Sequence, residues 1–482
     1  MSSEERAEAA PQLFADRVKV YPKAVQGRVR TVKWAVLILC LAIYYLVPWL
    51  RWDRGPGLPD QAVLVDMAGR RAYLFGLEIW PQEIYLLAGL LILAAVALFL
   101  VTSLFGRLWC GFSCPQTVWT DLFLLVERRI EGDRNARMRL DSQPWSAAKI
   151  WRKSAKHAVW LLIAAATGGA WIMYYVDAPT MTVQIATGAA SPAVYFFFGL
   201  FTLTTYVLAG WAREQVCTYM CPWPRFQSAM FDEGTTTVTY AAWRGEPRGK
   251  HKAGAGWEGR GDCVDCRACV NVCPTGIDIR DGLQMECISC GLCVDACNDV
   301  MGRLGRPPRL IGWDTEANQR ARAEGRPPRH RLLRMRSAIY AGVLVALAAT
   351  MAYALTAKSS LEIAVLRDRA PIYVTLSDGS IRNGYMLKLL NKGHDPRRFR
   401  VEVEGLPGAG IAVLGADGLP LPDDGLVVTA EGQSAFRLFL TLPREAVTEE
   451  ARAISIRAVD EDGGEHLTAR TQFSGPERRE GR

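Results

Sequence analysis

The chain has 482 residues, half of them hydrophobic, and a formal net charge of +8. That length accommodates three domains, and the apolar half is gathered into long stretches separated by Arg-rich ones, the pattern of a membrane protein. The positive balance is then a bias of cytoplasmic loops, and nucleic-acid binding is excluded as its reading.

Residues 1–31 form a polar N-terminal segment that includes Glu4, Glu5 and Asp16, and no small-residue cleavage site stands behind the first span that follows it. The first span is therefore expected to stay uncleaved. Five stretches approach the roughly 20 residues a helix needs to cross a bilayer: 32–50, 84–105, 157–177, 192–211 and 337–357. Arg17, Lys19, Lys23, Arg28 and Arg30 precede the first, and ten Lys and Arg lie between residues 107 and 156, whereas 178–191 has none. The asymmetry predicts a multi-pass protein of a bacterial inner membrane with its N-terminus in the cytoplasm. An odd number of spans then puts the C-terminus in the periplasm. The loop 51–83 fits less well, because it carries Arg51, Arg54, Arg70 and Arg71.

Within the four-span region 32–239, two spans run into one motif: Cys110-Gly-Phe-Ser-Cys114-Pro115 and Cys217-Thr-Tyr-Met-Cys221-Pro222. Each is followed by an aromatic-rich segment ending at an Asp, Asp121 and Asp232. Proline favours the first turn of a helix, so each motif sits where the chain leaves the bilayer and starts a new helix. The repetition predicts two hairpins side by side, with the four cysteines at one interface. Thiolates favour Cu(I), which makes a copper-reducing site sensible there. A third iron–sulfur cluster, a redox dithiol pair and buried structural cysteines remain open. Cys40, alone in the first span, reads as packing, and His157 as a boundary residue.

Residues 240–336 are the expected cytoplasmic domain. A Gly- and Arg-rich stretch, 240–262 (Arg244, Gly245, Arg248, Gly249, Gly254, Gly256), reads as a flexible linker. Cys263, Cys266, Cys269, Cys273 and then Cys287, Cys290, Cys293, Cys297 follow, each run spaced C-x2-C-x2-C-x3-C. This is how a bacterial-type ferredoxin holds two 4Fe–4S clusters, the fourth cysteine of each run crossing to the other cluster. Cluster one would take Cys263, Cys266, Cys269 and Cys297; cluster two, Cys287, Cys290, Cys293 and Cys273. Zinc would use two separated pairs, and disulfides an oxidising compartment. Pro274 follows the first run but Asn298 the second, which predicts a looser turn after Cys297. Residues 302–336, with Arg306–Arg309 and Arg326–Arg329 both reading RPPR, are expected to be an extended basic connection back to the bilayer, resting on lipid head groups or merely solvated. No G-x-G-x-x-G follows a strand, so a flavin or nicotinamide site of the chain's own is not expected.

After the fifth span, 337–357, the period changes to two in residues 358–482. Leu361–Val365, Ile372–Leu376, Phe399–Val403, Phe436–Leu440 and Ile454–Ala458 read as strands, with turns at Asp378-Gly379 and Asp462-Gly463-Gly464. They predict an all-β sandwich. His394 and His466 are isolated in it.

With both CxxxCP turns, the two quartets, Pro308–Asn318 and Tyr385–Asn391 in place, nearly the whole chain resembles the CcoG/FixG/RdxA family of cytochrome c oxidase accessory proteins. The CxxxCP pairs alone are shared with NapH- and NosR-type subunits. The resemblance implies a multi-domain membrane protein: a five-helix transmembrane region, a ferredoxin segment with two 4Fe–4S clusters, and a C-terminal Ig-like sandwich. It further implies a cupric reductase that supplies Cu(I) for the copper centre of a cbb3-type oxidase. Cys110, Cys114, Cys217 and Cys221 would meet the copper substrate. The membrane, a cytoplasmic electron donor, and oxidase assembly factors or copper chaperones would be its partners. Two other classes stay in view: an electron-transfer subunit exchanging with quinone or a partner protein, and an assembly scaffold with structural clusters.

Overall fold

Apolar residues on all sides and few charges favour helices that face lipid, and the membrane part is built from them. In chain order come α1 (Arg28–Leu46), strands β1 (Val63–Asp66), β2 (Arg71–Leu74) and β3 (Leu77–Ile79), then α2 (Ile84–Phe105), α3 (Leu108–Phe112), α4 (Pro115–Glu131), α5 (Arg134–Ser142), α6 (Ala147–Ile172), α7 (Ala178–Thr187) and α8 (Pro192–Thr205). Helix α8 passes into two π-helical stretches, Tyr206–Ala212 and Val216–Met220, before α9 (Trp223–Met230). The remainder of this unit holds β4 (Thr237–Tyr240), α10 (Ala242–Gly245), α11 (Ala268–Val272), α12 (Leu292–Arg303), β5 (Ile311–Asp314), α13 (Glu316–Ala323) and α14 (Met335–Thr356). The computed structural model describes residues 19–55, 57–251, 256–329, 331, 333–415, 417–421, 426–461 and 464–476. Glu4, Glu5, Asp16, Arg17, Gly254 and the Asp462-Gly463 part of the last turn lie outside them. The chain forms two units, Met1–Ala352 and Tyr353–Arg482.

Among the described residues, four helical stretches are long and apolar enough to cross a membrane: Arg28–Trp49, Pro81–Phe105, Pro192–Ala212 and Met335–Thr356. Their apolar side chains point outward, as Ile38, Leu39, Leu91, Ile92 and Val345 do, a surface that only lipid tolerates at this extent. The expected span 157–177 does not join them, because α6 starts in a Lys-rich segment and ends at Ile172. It nevertheless packs alongside α1. Near its start Lys153 pairs with Asp141 at 2.5 Å, which also takes Lys19 Nζ, from the extended segment ahead of α1, at 2.6 Å. Towards its end Thr167 O accepts from Tyr44 OH at 2.8 Å, and beyond it Met173 O accepts from Gln61 Nε2 at 2.6 Å.

The arginines of the loop 51–83 are all but one engaged locally. Arg51 pairs with Asp60 and Asp177 at 2.6 and 2.7 Å. Arg54 donates to the carbonyls of Pro59, Gln61 and Ala62, and Arg71 stacks on Trp80 at 4.1 Å. They serve the three-stranded sheet β1-β2-β3, a structure the sequence reading did not anticipate.

The two basic linkers are more ordered than expected. Strands β4 and β5 pair antiparallel, Thr237 opposite Asp314 and Tyr240 opposite Ile311, so the ends of the cysteine segment are tied together. Asp262 receives Arg244 at 3.0 Å and also Arg306. Thr315 caps α13 by accepting from Asn318 N at 3.1 Å. The turn expected after Cys297 is absent: Cys297 and Asn298 lie inside α12, and Asn298 Oδ1 accepts from Arg309 N at 2.7 Å.

The second unit is a β-sandwich of two antiparallel sheets. One runs β10-β12-β8-β6, with β7 also on β8; the other runs β11-β9-β13-β14. The strands are β6 (Leu361–Arg367), β7 (Val374–Thr375), β8 (Ile381–Asn391), β9 (Arg397–Glu404), β10 (Gly410–Gly415), β11 (Leu426–Val428), β12 (Gly432–Leu442), β13 (Ala451–Asp460) and β14 (His466–Ser474). Alternate residues of β8, β12 and β13 face inward: Tyr385, Leu387 and Leu389 meet Leu438, Leu440, Ile456 and Ala458, all fully buried. Each large apolar side chain so buried stabilises by about 1.5–3 kcal/mol. The Asp378-Gly379 turn forms as expected, with Gly379 at φ 84° and Asp378 accepting from Ser380 N at 3.0 Å.

Candidate functional site

The cysteine segment turns on left-handed residues. Asp265, Arg267 and Ser289 have φ between 52° and 54°, and Gly291 has 69°. Non-glycine residues in this region cost free energy, and they cluster where geometry serves a site. Here they curl each C-x2-C-x2-C run so that its thiols converge. Helix α11 then carries Cys269 to Cys273 at its end, and α12 carries Cys293 and Cys297 back across it.

The fourth cysteine of each run lies close to the other run. Cys297 feels the charges of Cys269, Cys266 and Cys263. Cys287 feels Cys290 and Cys273, and Cys293 feels Cys290, Cys287, Cys273 and also Cys269 of the first run. Burial pushes the Cys297 thiol up to about 12 and those of Cys269 and Cys287 to about 11. A hollow of about 20 Å³ lies among Cys269, Cys273, Cys287, Cys290 and Cys293. Soft donors grouped in fours, around a hollow and too buried to ionise alone, suit a cationic iron–sulfur core that draws the protons off. Arg280 stands beside the first quartet, where it lowers Cys269 and donates to Asp278 and Asp265.

A third quartet forms at the CxxxCP turns. Cys217 feels Cys114, Cys110 and Cys221, and Cys110 feels Cys114 and Cys221. Burial, then the neighbouring cysteines, raise Cys110 and Cys217 to about 12. Pro115 opens α4, and Pro222 stands immediately before α9. Gln227 on α9, fully buried, accepts from Cys110 Sγ at 3.4 Å and so bridges the two hairpins. The two Asp residues each receive a cation from the start of a distant helix. Asp121 takes Arg30 at 2.7 Å and Lys33 at 3.2 Å, and Asp232 takes Arg334, just before α14. Burial alone would raise Asp121, but Lys33 and then Arg30 hold it below the usual carboxylate range.

The second and third quartets share a wall. A Cβ at Gly111 would come within 2.7 Å of Ile288 O and 2.9 Å of Cys290 Cα, so only glycine lets the turn lie this close. Cys110 and Cys217 pack against the cluster of Cys290, Ile288 and Leu292. Arg107 reaches across: it donates to Cys287 O at 3.0 Å, to Met285 O, and to Pro224 O at 2.8 Å. Spacing read Arg107 only as a loop cation, and it missed Gln227. The one signal for Arg107 was its place at the head of the motif, after the helix-ending Gly106.

Comparison with known proteins agrees with this division. A family of 4Fe–4S dicluster domains matches residues 212–316, a 4Fe–4S binding domain matches 87–131, and the Ig-like fold at the C-terminus of FixG matches 351–476. The chain is 51% identical to Protein RdxA of Cereibacter sphaeroides, over 94% of this chain and 96% of that protein. It is 48% identical to Nitrogen fixation protein FixG of Rhizobium meliloti, covering 96% and 94%, and 48% identical to Protein RdxB of C. sphaeroides, covering 96% and 97%.

Proposed function

The chain belongs to the FixG/RdxA family, and from that premise we propose that this membrane iron–sulfur electron-transfer protein reduces Cu(II) to Cu(I) for the copper centre of a cbb3-type oxidase. Cys263, Cys266, Cys269 and Cys297 would hold one 4Fe–4S cluster, and Cys287, Cys290, Cys293 and Cys273 the other. Such clusters, when bound, supply electrons singly, which matches the one-electron change from Cu(II) to Cu(I). Cys110, Cys114, Cys217 and Cys221 meet the copper substrate, and their thiolates favour Cu(I) as product. Gln227 holds Cys110 in place across the hairpin interface. The electrons come from a cytoplasmic donor, and the product passes to copper chaperones or assembly factors. One observation carries this reading: the four CxxxCP thiols converge against the wall of the second quartet.

The test is to purify the protein anaerobically, count iron and follow Cu(II) reduction with a Cu(I) chelator. About eight irons per chain are expected. Cys110→Ala with Cys217→Ala should abolish copper reduction and keep those eight. Full reduction in that double variant would refute the copper site. The match of residues 87–131 to a 4Fe–4S binding domain favours a second reading, in which the same four thiols hold a third cluster. An iron count near twelve, falling to about eight in the double variant, would select it.

A further inference from the structure

A pocket of about 340 Å³ opens between α4, α6 and the π-helical stretch Tyr206–Ala212, apart from the three quartets. His157, Trp160 and Trp211 form its aromatic wall. The His157 ring lies nearly parallel to Trp211, with centres 5.9 Å apart at 24°, and edge-on to Trp160 at 5.2 Å. His157 Nδ1 is 2.9 Å from Tyr206 OH. An interfacial tryptophan belt accounts for Trp211, which is 55% exposed, but not for Trp160, which is 2% exposed and donates to Phe123 O at 3.0 Å.

The cations at the pocket already have carboxylates. Lys156 pairs with Glu131 at 2.9 Å, Lys153 with Asp141 at 2.5 Å and Arg213 with Glu127 at 3.0 Å. That disfavours a phosphate head group and favours an uncharged ligand. Trp160 is covered by Phe123 and Lys156, so the flat face open to a planar ring is that of Trp211. The pocket stands where α6 passes from Lys149, Lys153 and Lys156 into Trp160–Ala166, so a lipid-borne molecule can enter it sideways. In the tautomer in which Tyr206 OH donates to Nδ1, the imidazole proton sits on Nε2, a donor for a carbonyl oxygen. We propose that this pocket binds the ring of a membrane quinone, with His157 hydrogen-bonding a ring carbonyl. Arg213 and Glu214 line both this pocket and the small cavity that Cys217 reaches, so the two share one wall. The site would thus give the protein a redox partner inside the bilayer, whichever metal the third quartet serves.

The full chain with its clusters, in lipid nanodiscs, is to be photolabelled with an azido-ubiquinone analogue and its peptides mapped. Label is expected on the peptides of His157 and Trp211, and excess decylubiquinone should protect them. His157→Leu should weaken that protection about fivefold, the size of one lost hydrogen bond, with iron content unchanged. Should His157→Leu lose iron, Tyr206→Phe, which removes one oxygen, gives the decisive comparison and is expected to weaken protection in the same direction. Label spread evenly over the lipid-facing helices without protection would overturn the proposal. So would displacement by phosphatidylglycerol as effective as by the quinone, the mark of a lipid head-group site.

Discussion

Two charged residues show how single side chains set the chemistry and its support. Arg107 is 3% exposed and lies beside both Cys287 and Cys110. A positive charge there stabilises an added electron. Arg107→Gln should therefore make the second cluster harder to reduce, lowering its midpoint by roughly 50–100 mV for a unit charge about 8 Å away at an effective dielectric near 20. Arg107→Lys should restore most of this. An EPR-monitored redox titration measures both, and an unchanged midpoint with full iron content would count against the role. Glu127 works on stability. Burial alone would raise it, but Arg213, followed by Arg137 and Lys156, holds it down at about 2 against an ordinary 4.5. A depressed acid stabilises the fold fully above its unfolded value, and this is lost as pH falls from about 4.5 through about 2; the full effect is on the order of 3 kcal/mol. Denaturant unfolding of Glu127→Gln should accordingly show its largest deficit above pH 5 and a shrinking one below 4.5. A deficit that grows on acidification would contradict this.

Elements were legible where residue type alone dictates backbone. Pro115 and Pro222 marked the new helices, and the two quartets marked the cysteine segment. The match between hairpins is nevertheless loose: α4 has 17 residues and α9 has 8. The π-helical stretches carry no residue signature, so they could not be read. The central strand β8 escaped because its inward alternation is broken by a polar residue. Asn383, fully buried, donates to Ser474 O at 2.7 Å and accepts from Ser474 N at 2.8 Å, replacing an apolar contact by two hydrogen bonds. The Pro and Arg content of 302–336 hid the Thr315 cap and the β5 strand. Asn298 shows the opposite error, since a missing proline was taken for a loosened turn where a helix continues. Asn298→Pro should break α12 beside Cys297 at a cost of about 3 kcal/mol or more and reduce iron to about four atoms per chain. Iron analysis showing about eight would mean that Cys297 does not need the intact helix.

At the scale of the molecule, the three cysteine quartets of the first unit gather at one end of the helices. Arg30, Lys33, the start of α6 and all three quartets are there, while β1-β2-β3 and α7 lie at the other end. By the Lys and Arg bias we propose that the first end faces the cytoplasm. Parity then rests on α6, too Lys-rich at its start to register as a span yet packed alongside α1. If it crosses, residues 358–482 are periplasmic. Protease added to intact spheroplasts should remove that domain and spare the cysteine segment; the opposite digestion pattern would reverse the topology.

Asp295, one residue after Val294 on α12, caps the start of α1: its carboxylate accepts from Val29 N at 3.3 Å and Arg30 N at 2.7 Å. Gly27 is there because any Cβ would fall 2.3 Å from that carboxyl carbon. On the ribosome, the first helix enters the bilayer long before its cap exists, since the two lie 265 positions apart. Until α12 has folded, the amides of Val29 and Arg30 lack this acceptor. Asp295 shares α12 with Cys293 and Cys297, so if those cysteines hold clusters, capping of the first membrane helix would be tied to iron supply.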